Sequence, residues 1–403
     1  MRVLVADEFP ERQLEKLRKR GHDVRYEQSL DSSTLVEAVA DAEILVVRST
    51  EVRAEAIEAG DHLGLIIRAG AGTNTIDVPR ASERSVYVSN IPGKNSVAVA
   101  ELTIGLILAL DRRIPDNVAN LRENRWRKSE FANARGLMGR RLGIIGLGSI
   151  GLEVAVRARA FGMKVLGLEK PDRDSEQEAI LTDLGVRLYP DLEAMLPSCH
   201  FVSLHVPSTD ETRGMVDKEF LAHLANGTCL INTSRADIIV VEDLLEALDE
   251  KDMWAALDAF PDEPATGEAD YESALAKHPH VYGTHHIGAS TDQAQEAIAK
   301  KVIQVIDDYC DGEVTNVVNL AEPMSHTTVI GIRHRDQVGV LSRVFSILRS
   351  ADINVEHMEN HIFAGARAAM AVMHVHGDFN DAVQKELEDL DAVFHVAVLR
   401  EMG

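Results

Sequence analysis

The sequence predicts an α/β protein with two doubly wound parallel-sheet domains followed by a small C-terminal domain of ferredoxin-like βαββαβ order. Three observations carry this prediction. Short apolar runs alternate with amphipathic stretches from Val3 to Tyr282, as parallel strands with helices on both sheet faces require. Gly146, Gly148 and Gly151 set a G-x-G-x-x-G pattern between a strand-like run and a helix-like one,. Beyond a stretch marked by Gly312 and Pro323, Asp311 to Ser325, the order becomes strand, loop, helix, strand, strand, helix, strand from Thr327 onward,.

In chain order, Val3–Ala6, Asp23–Tyr26, Ile44–Val47, Leu65–Ile67 and Val86–Val88 read as strands, with amphipathic stretches such as Pro10–Arg20 and Ser33–Val39 between them. The apolar run Val97–Leu110 contains Glu101, Thr103 and Gly105. It is too short and too polar to cross a bilayer, and reads as a helix buried on most sides, inside a large domain or against a second subunit. Arg141–Glu169 then forms one complete βαβ unit. Leu142–Ile145 is its first strand, and the three glycines allow a tight turn, close approach to a pyrophosphate and close helix–strand packing. The helix from about Ser149 to Phe161 aims free N–H groups and a positive dipole end at the phosphates. A second strand, Lys164–Leu168, ends at Glu169, where a carboxylate bonds the ribose hydroxyls and repels the extra phosphate of NADP. The expected cofactor is therefore NAD, on a Rossmann-like domain. Alternation resumes with Phe201–Leu204, Thr228–Asn232, Trp254–Leu257 and His280–Tyr282.

Length and composition bound the function. A chain of 403 residues suggests two or three domains, each with its own core,. A formal charge of -23 argues against nucleic acid or an anionic membrane as partner,. Cys199, Cys229 and Cys310 are odd in number and lack metal spacing, which points to a reducing cytosol,. Met1 leads directly into a strand-like run, so no signal peptide is expected.

Ligands of open α/β sheets sit beyond the carboxyl ends of the strands, and there the chain places Arg48, Arg68, Arg235, Asp258 and His286. An arginine fork suits a carboxylate, and a histidine exchanges protons near neutral pH. Glu263, in DAFPDEP, is placed to orient such a histidine and raise its pKa,. Each has a plainer reading, since arginines after strands are commonly solvated and DEP alone is a turn. His278, His280, His285 and His286 crowd together, but without a nearby thiolate and with alternating strand directions no metal is expected,.

The ordered motifs RAGAGTNTID, GLGSIG, LHVPSTDETRGMV, INTSR, LDAFPDEP and HHIGAST resemble those of the D-isomer-specific 2-hydroxyacid dehydrogenases over nearly the whole chain. The resemblance implies a substrate domain from residues 1–94 and 285–315, an inserted NAD domain at 95–284, a linker at 316–326 and a regulatory domain at 327–403. It further implies that Arg235 binds the substrate carboxylate and polarises the 2-oxo group, that His286 exchanges the proton and that Glu263 supports it. Asp258 matches the position that holds the carboxamide of the cofactor. Ser149, Ile150, Val206, Thr233, Ser234 and Gly288 match positions beside the cofactor, and Arg48 and Arg68 match anion-binding positions. Two residues depart from the pattern: His285 stands where proline is usual, and Ala236 where glycine is usual.

Three arginines at one cleft of an acidic chain suit a carboxylate plus a phosphate. Together with the C-terminal region, the resemblance implies 3-phosphoglycerate as the substrate, oxidised with NAD to 3-phosphohydroxypyruvate at the opening of serine synthesis. The alternatives are another D-2-hydroxy acid, or an NAD-sensing interaction protein on the same fold. A cytosolic homodimer or homotetramer is expected, joined through the Val97–Leu110 helix, with Arg127 reaching a neighbouring site. The C-terminal region resembles an ACT domain, a module that binds amino acids where two copies meet. In the members of the family that L-serine inhibits, a histidine and two asparagines line that pocket. The matching positions here are His334, Asp336 and Asn354, and Asp336 replaces an amide by a carboxylate,.

Overall fold

A computed structural model describes residues 1–171, 173–264, 269–321 and 328–400, with only the backbone of Arg400. Pro323, Ser325 and Thr327, and residues 401–403, belong to the expected linker and C-terminal domain but lie outside the described residues. The chain divides into two compact units, Met1–Asn319 and Leu320–Gly403.

The first unit holds two parallel sheets. In one, β1 (Arg2–Val5), β2 (Asp23–Tyr26), β3 (Ile44–Val47), β4 (Leu65–Arg68) and β5 (Tyr87–Asn90) lie in the order β2-β1-β3-β4-β5. The inner strands β3 and β4, and β1 beside them, are short and mostly apolar because helices cover both faces, whereas the edge strand β2 is half-exposed,. One covering helix comes from far downstream: Asp292–Cys310 packs Ile298, Val302 and Ile306 against Val3, Val5 and Ile44. The other sheet contains β6 (Arg141–Ile145), β7 (Lys164–Leu168), β8 (Arg187–Tyr189), β9 (Phe201–Leu204), β10 (Cys229–Asn232), β11 (Trp254–Leu257) and β12 (Val281–Gly283). Its order, β12-β11-β10-β9-β6-β7-β8, reverses between β6 and β9, and the crevice at that switch point is where such sheets bind nucleotides. The edge strand β8 has no apolar run to announce it.

The helix Ser96–Arg112 crosses between the two sheets. Ala98, Ala100, Thr103, Leu106, Ile107 and Leu110 are buried along it, while Val97 stays 41% exposed. Residues 316–319, expected to open a linker, instead join the edge of β5. The Val318 N–H donates to the Val88 carbonyl at 2.9 Å, and the Asn319 side chain accepts from the Val88 N–H at 2.9 Å. The amide that closes this pairing is a side-chain mimic of a ladder bond, which no periodicity in the sequence signals.

The second unit has the expected βαββαβ order. Its strands β13 (Thr328–Arg335), β14 (Asn354–Ile362), β15 (Ala368–His376) and β16 (Val393–Arg400) form an antiparallel sheet ordered β14-β15-β13-β16. Helices Val340–Ser350 and Asp381–Glu388 bring Val344, Leu348, Val383 and Leu387 onto Ile330, Ile332, Ala371, Met373 and Val375. Gly339 takes φ +87 before the first helix, a left-handed turn that glycine makes without strain,.

Candidate active site

The glycine turn has the geometry of a diphosphate cradle. Gly146 has φ +96, and a Cβ there would lie 2.3 Å from the His205 carbonyl oxygen and 3.0 Å from Val206. A Cβ on Gly151 would lie 2.0 Å from the Gly146 carbonyl oxygen, so the helix Ser149–Ala160 docks on β6 only without it. At Gly148 a Cβ would meet nothing within 4 Å, which leaves the helix N-terminus open to a ligand,. Glu169 follows β7 with its side chain exposed at the carboxyl end of the sheet. Open space, free helix N–H groups and a terminal carboxylate together fit a dinucleotide. Ile150 lies one residue into this helix and packs against the core below it.

On the same sheet, β10 ends in a knotted loop. Asn232 accepts from both the N–H and the hydroxyl of Ser234 and donates to the Arg235 carbonyl at 2.8 Å. The Thr233 hydroxyl meets that of Thr103 at 3.0 Å, which ties the loop to the crossing helix. Arg235 leaves this loop towards Gly72, where a Cβ would stand 2.8 Å from its guanidinium. Ala236, in place of glycine, simply opens a short 3-10 turn, Ala236–Ile238.

His286 and Glu263 meet as expected, with Nδ1 2.6 Å from Oε2. Glu263 uses its other oxygen to accept the Phe260 N–H at 2.7 Å, which fixes the carboxylate. The bond to Glu263 raises the His286 pKa by favouring the charged ring, and outweighs the opposing effect of burial,. Burial pushes the Glu263 carboxyl up, but the bonds from His286 and Phe260 overcome it and the net shift is downward. The Arg235 charge acts on both groups. His286 has φ 52, a left-handed conformation that costs a histidine about 1 kcal/mol or more,.

Asp258 holds the loop that carries this strained residue. Its buried carboxylate accepts from the Thr284 hydroxyl at 2.6 Å, the Ile287 N–H at 2.9 Å and the Gly288 N–H at 2.9 Å, and its carbonyl accepts the His286 N–H at 2.8 Å.

Across the cleft, Arg48 and Arg68 end adjacent strands of the first sheet. Burial, then the charges of Arg235 and Arg48, depress the Arg68 pKa to about 10, with Asp7 opposing them. The Arg68 guanidinium covers Gly70 and that of Arg235 covers Gly72, two residues on, while Arg48 follows the neighbouring strand β3, so the three guanidinium groups gather at one end of the sheet. Arg48 reaches the Ser290 hydroxyl at 3.4 Å, beside the His286 loop. Asp7 was not foreseen. It accepts the Arg48, Ser49 and Thr50 N–H groups at 2.6, 3.0 and 3.1 Å and so shapes the loop that presents Arg48. Its position just after β1 obeys the same carboxyl-end rule that selected the arginines.

The other residues singled out do not share one place. Among the crowded histidines, His278 and His280 meet edge to face with centroids 5.6 Å apart, His278 contacts Asp249 at 3.2 Å and His280 stacks on Trp254 at 4.5 Å, whereas His286 pairs with Glu263. In the second unit, His334 is 2% exposed, with Nδ1 2.8 Å from the Arg335 carbonyl and Nε2 3.2 Å from Asn360 Oδ1. His334 pairs with Ala369, at one end of β15, whereas Asn354 pairs with His376 at the other. Seven residues of strand separate those partners by roughly 23 Å. One copy of the unit thus does not bring His334, Asp336 and Asn354 into one pocket.

Comparison with known proteins agrees with this geometry. Residues 104–288 match the family described as D-isomer specific 2-hydroxyacid dehydrogenase, NAD binding domain, and residues 328–392 match the ACT domain. The chain is 38% identical over 323 residues to D-3-phosphoglycerate dehydrogenase of Methanocaldococcus jannaschii, covering 79% of this chain and 60% of that protein. It is 39% identical over 283 residues to hydroxypyruvate reductase of Thermotoga maritima, covering 69% of this chain and 88% of the relative. The crystal structure of TT0316 protein from Thermus thermophilus superposes with a TM-score of 0.69 at 30% identity, over 79% of this chain and 100% of that one. The chain belongs to the D-isomer specific 2-hydroxyacid dehydrogenase family.

Proposed function

We propose that this protein oxidises 3-phospho-D-glycerate to 3-phosphohydroxypyruvate with NAD, the first step of serine synthesis. The observation that carries the reading is the convergence of Arg48, Arg68 and Arg235. Repulsion among three cations costs free energy that a doubly anionic substrate returns. Arg235 binds the carboxylate and steadies charge on the 2-oxygen. Arg48 and Arg68 take the phosphate. The Nε2 atom of His286 removes the hydroxyl proton, and Glu263 holds the ring by its Nδ1–H and stabilises the imidazolium formed. NAD, held at the glycine turn, would supply a hydride acceptor for the hydrogen on C2, the carbon that bears this hydroxyl. Gly146, Gly148, Ser149, Ile150, Gly151, Glu169, Val206, Thr233, Ser234, Asp258 and Gly288 are the cofactor side of the site in this reading, although Asp258 already spends three bonds on the His286 loop.

Likeness to a hydroxypyruvate reductase over 88% of its length favours a second reading, in which the substrate is an unphosphorylated hydroxy acid such as glycerate. An NAD-sensing interaction protein would bind the cofactor without turnover. One panel decides among them: purified protein, NAD, and 3-phosphoglycerate beside glycerate and other D-2-hydroxy acids, followed by absorbance of the reduced cofactor. Reduction with glycerate but not with 3-phosphoglycerate overturns the first reading, and no reduction with any acid leaves the sensor.

The assembly we infer is a cytosolic homodimer or homotetramer. Ile114, Leu121, Trp126 and Met138 are 47%, 56%, 81% and 84% exposed around the Ser96–Arg112 helix, an apolar surface of the kind subunits cover,. Arg127 lies in that segment. Among the described residues no helix is long and apolar enough to cross a membrane, and the charge of -23 disfavours nucleic acid,. The ACT domain supports an amino-acid effector, and we take L-serine as the candidate at His334, Asp336 and Asn354.

A further inference from the structure

We propose that Arg173 is a specificity-determining residue of the cofactor site: its guanidinium takes the 2′-phosphate of NADP, so that the chain binds NADP as a second cofactor beside NAD. The proposal rests on the reading that Glu169 faces the adenosine ribose. Taken alone, that reading disfavours NADP, since a carboxylate there repels a 2′-phosphate. A cation in the same place changes the outcome.

The backbone at the end of β7 fixes where that cation stands. The Glu169 N–H donates to the Tyr189 carbonyl at 2.8 Å, towards β8. The Leu168 carbonyl belongs to the same peptide, and a planar trans peptide points its C=O and N–H in opposite directions. This carbonyl therefore faces β6, the neighbour on the other side of β7. Arg173 Nη2 donates to it at 2.7 Å, so the guanidinium is held on the β6 side of β7. Strand β6 ends at Ile145 and runs straight into the Gly146 turn. The turn itself leans on this strand end: a Cβ on Gly167 would stand 2.5 Å from the side chain of Leu147, the residue between Gly146 and Gly148. The guanidinium consequently lies at the mouth of the crevice that Glu169 and the glycine turn share, where such folds hold the adenosine ribose.

The chemistry of the place suits both cofactors. The bond to Leu168 is the one that the Arg173 side chain makes among the described residues, and a guanidinium carries five N–H donors. Asp174, the next residue, is spent elsewhere: its Oδ1 accepts the Glu176 N–H at 3.0 Å and caps the helix Ser175–Asp183. The Arg173 N–H donates to the Lys170 carbonyl at 3.3 Å, which brings the chain back to the strand end, and Lys170 adds an exposed cation beside Glu169. A 2′-phosphate carries a charge of about -1.5 to -2 at neutral pH, and the planar fork of an arginine matches its oxygens. Glu169 offers an acceptor to the ribose hydroxyls of NAD, and Arg173 offers donors to the phosphate of NADP. Glu169 is exposed, so its carboxylate can swing into water when the phosphate enters.

The test is calorimetric titration of the full-length chain with NADH and with NADPH, for the parent, Arg173→Ala, Arg173→Lys, Glu169→Ala and the double variant Glu169→Ala with Arg173→Ala. Melting temperatures equal to the parent's show that the variants fold. The parent is expected to bind both cofactors, NADH more tightly. Arg173→Ala should weaken NADPH at least about tenfold more than NADH, the worth of a charge-assisted bond, and Arg173→Lys should restore part of that loss by keeping the charge. Glu169→Ala should strengthen NADPH, and adding Arg173→Ala should remove the gain. The proposal is overturned if the parent takes up no NADPH, or if Arg173→Ala weakens NADH and NADPH alike, since Arg173 would then serve only β7 or a part common to both cofactors. Failure of the Glu169 reading looks different: Glu169→Ala then keeps the parent's ratio of affinities while Arg173→Ala still loses NADPH selectively, and the proposal stands on Arg173 alone.

Discussion

Replacing Asp258 by alanine should disable His286 without touching it. The carboxylate is 1% exposed and accepts three hydrogen bonds from residues 284, 287 and 288. Bonds to a buried charge are worth about 1.5–3 kcal/mol each. They offset the left-handed backbone of His286, which costs about 1–3 kcal/mol,. In the alanine variant the Thr284 hydroxyl and two N–H groups lose their acceptor, and the loop relaxes to satisfy them with water. If about 3 kcal/mol of holding energy is lost, the competent loop becomes about 10²-fold rarer. kcat/KM should fall by that factor in steady-state assays. The double variant Asp258→Ala with His286→Ala should then be little worse than His286→Ala alone, because both changes remove the same group from the reaction. Fully multiplied losses would refute this reasoning. So would an Asp258→Ala variant that keeps its turnover and loses affinity for NAD, since the residue would then serve the carboxamide and not the loop.

Other perturbations bear on the rest of the site. Glu263→Gln removes the charge that favours protonated His286, so the ring's pKa should drop towards its ordinary value; hydroxy-acid oxidation needs the neutral ring, and its low-pH limb in a kcat/KM profile should move to lower pH, an unmoved limb counting against the pairing. Arg48→Ala should cost a phosphorylated substrate about 10- to 100-fold in kcat/KM, the worth of charge-assisted bonds, and an unphosphorylated one far less; equal losses would place the phosphate elsewhere. Glu169→Ala should narrow the preference for NAD over NADP by removing repulsion of the 2′-phosphate, as a ratio of kcat/KM values for the two cofactors would register, and an unchanged ratio would sever Glu169 from the ribose.

Much of this was legible because short parallel strands bury both faces and leave a solid apolar mark. Lys164–Leu168, Phe201–Leu204 and Trp254–Leu257 occupy the residues expected for them. The strand Arg187–Tyr189 escaped notice because its edge position asks for only three residues, one of them arginine. The carboxyl-end rule located Arg48, Arg68, Arg235, Asp258 and His286 one by one. Their company at one cleft was expected only from that rule taken with the family resemblance, since nothing local says that residues 48, 68 and 235 converge. Asp7 shows the same limit: its partners are backbone groups 41 to 43 residues away, and any residue type supplies an N–H. The role of Asp258 was hidden in a similar way, because a motif marks where an acid stands and not which donors surround it.

The residues matched to an effector pocket lie close in sequence but far apart within one copy of the fold. HRDQVGVL and ADINVEH lie close in sequence, which makes His334, Asp336 and Asn354 look like neighbours. Antiparallel pairing with the shared strand β15 sends them to opposite ends of the sheet. His334 is moreover committed at both ring nitrogens, whereas Asn354 is exposed. If these residues serve one amino acid, its carboxylate and ammonium must be held by different copies of the unit. Such a ligand would then act on the assembly: it binds only where two copies meet, so its binding energy favours whichever arrangement brings them together. The replacement of an amide by Asp336 adds a charge on one side of that junction, where an ammonium group is the natural counterpart. Recognition and assembly would therefore be one equilibrium in this domain.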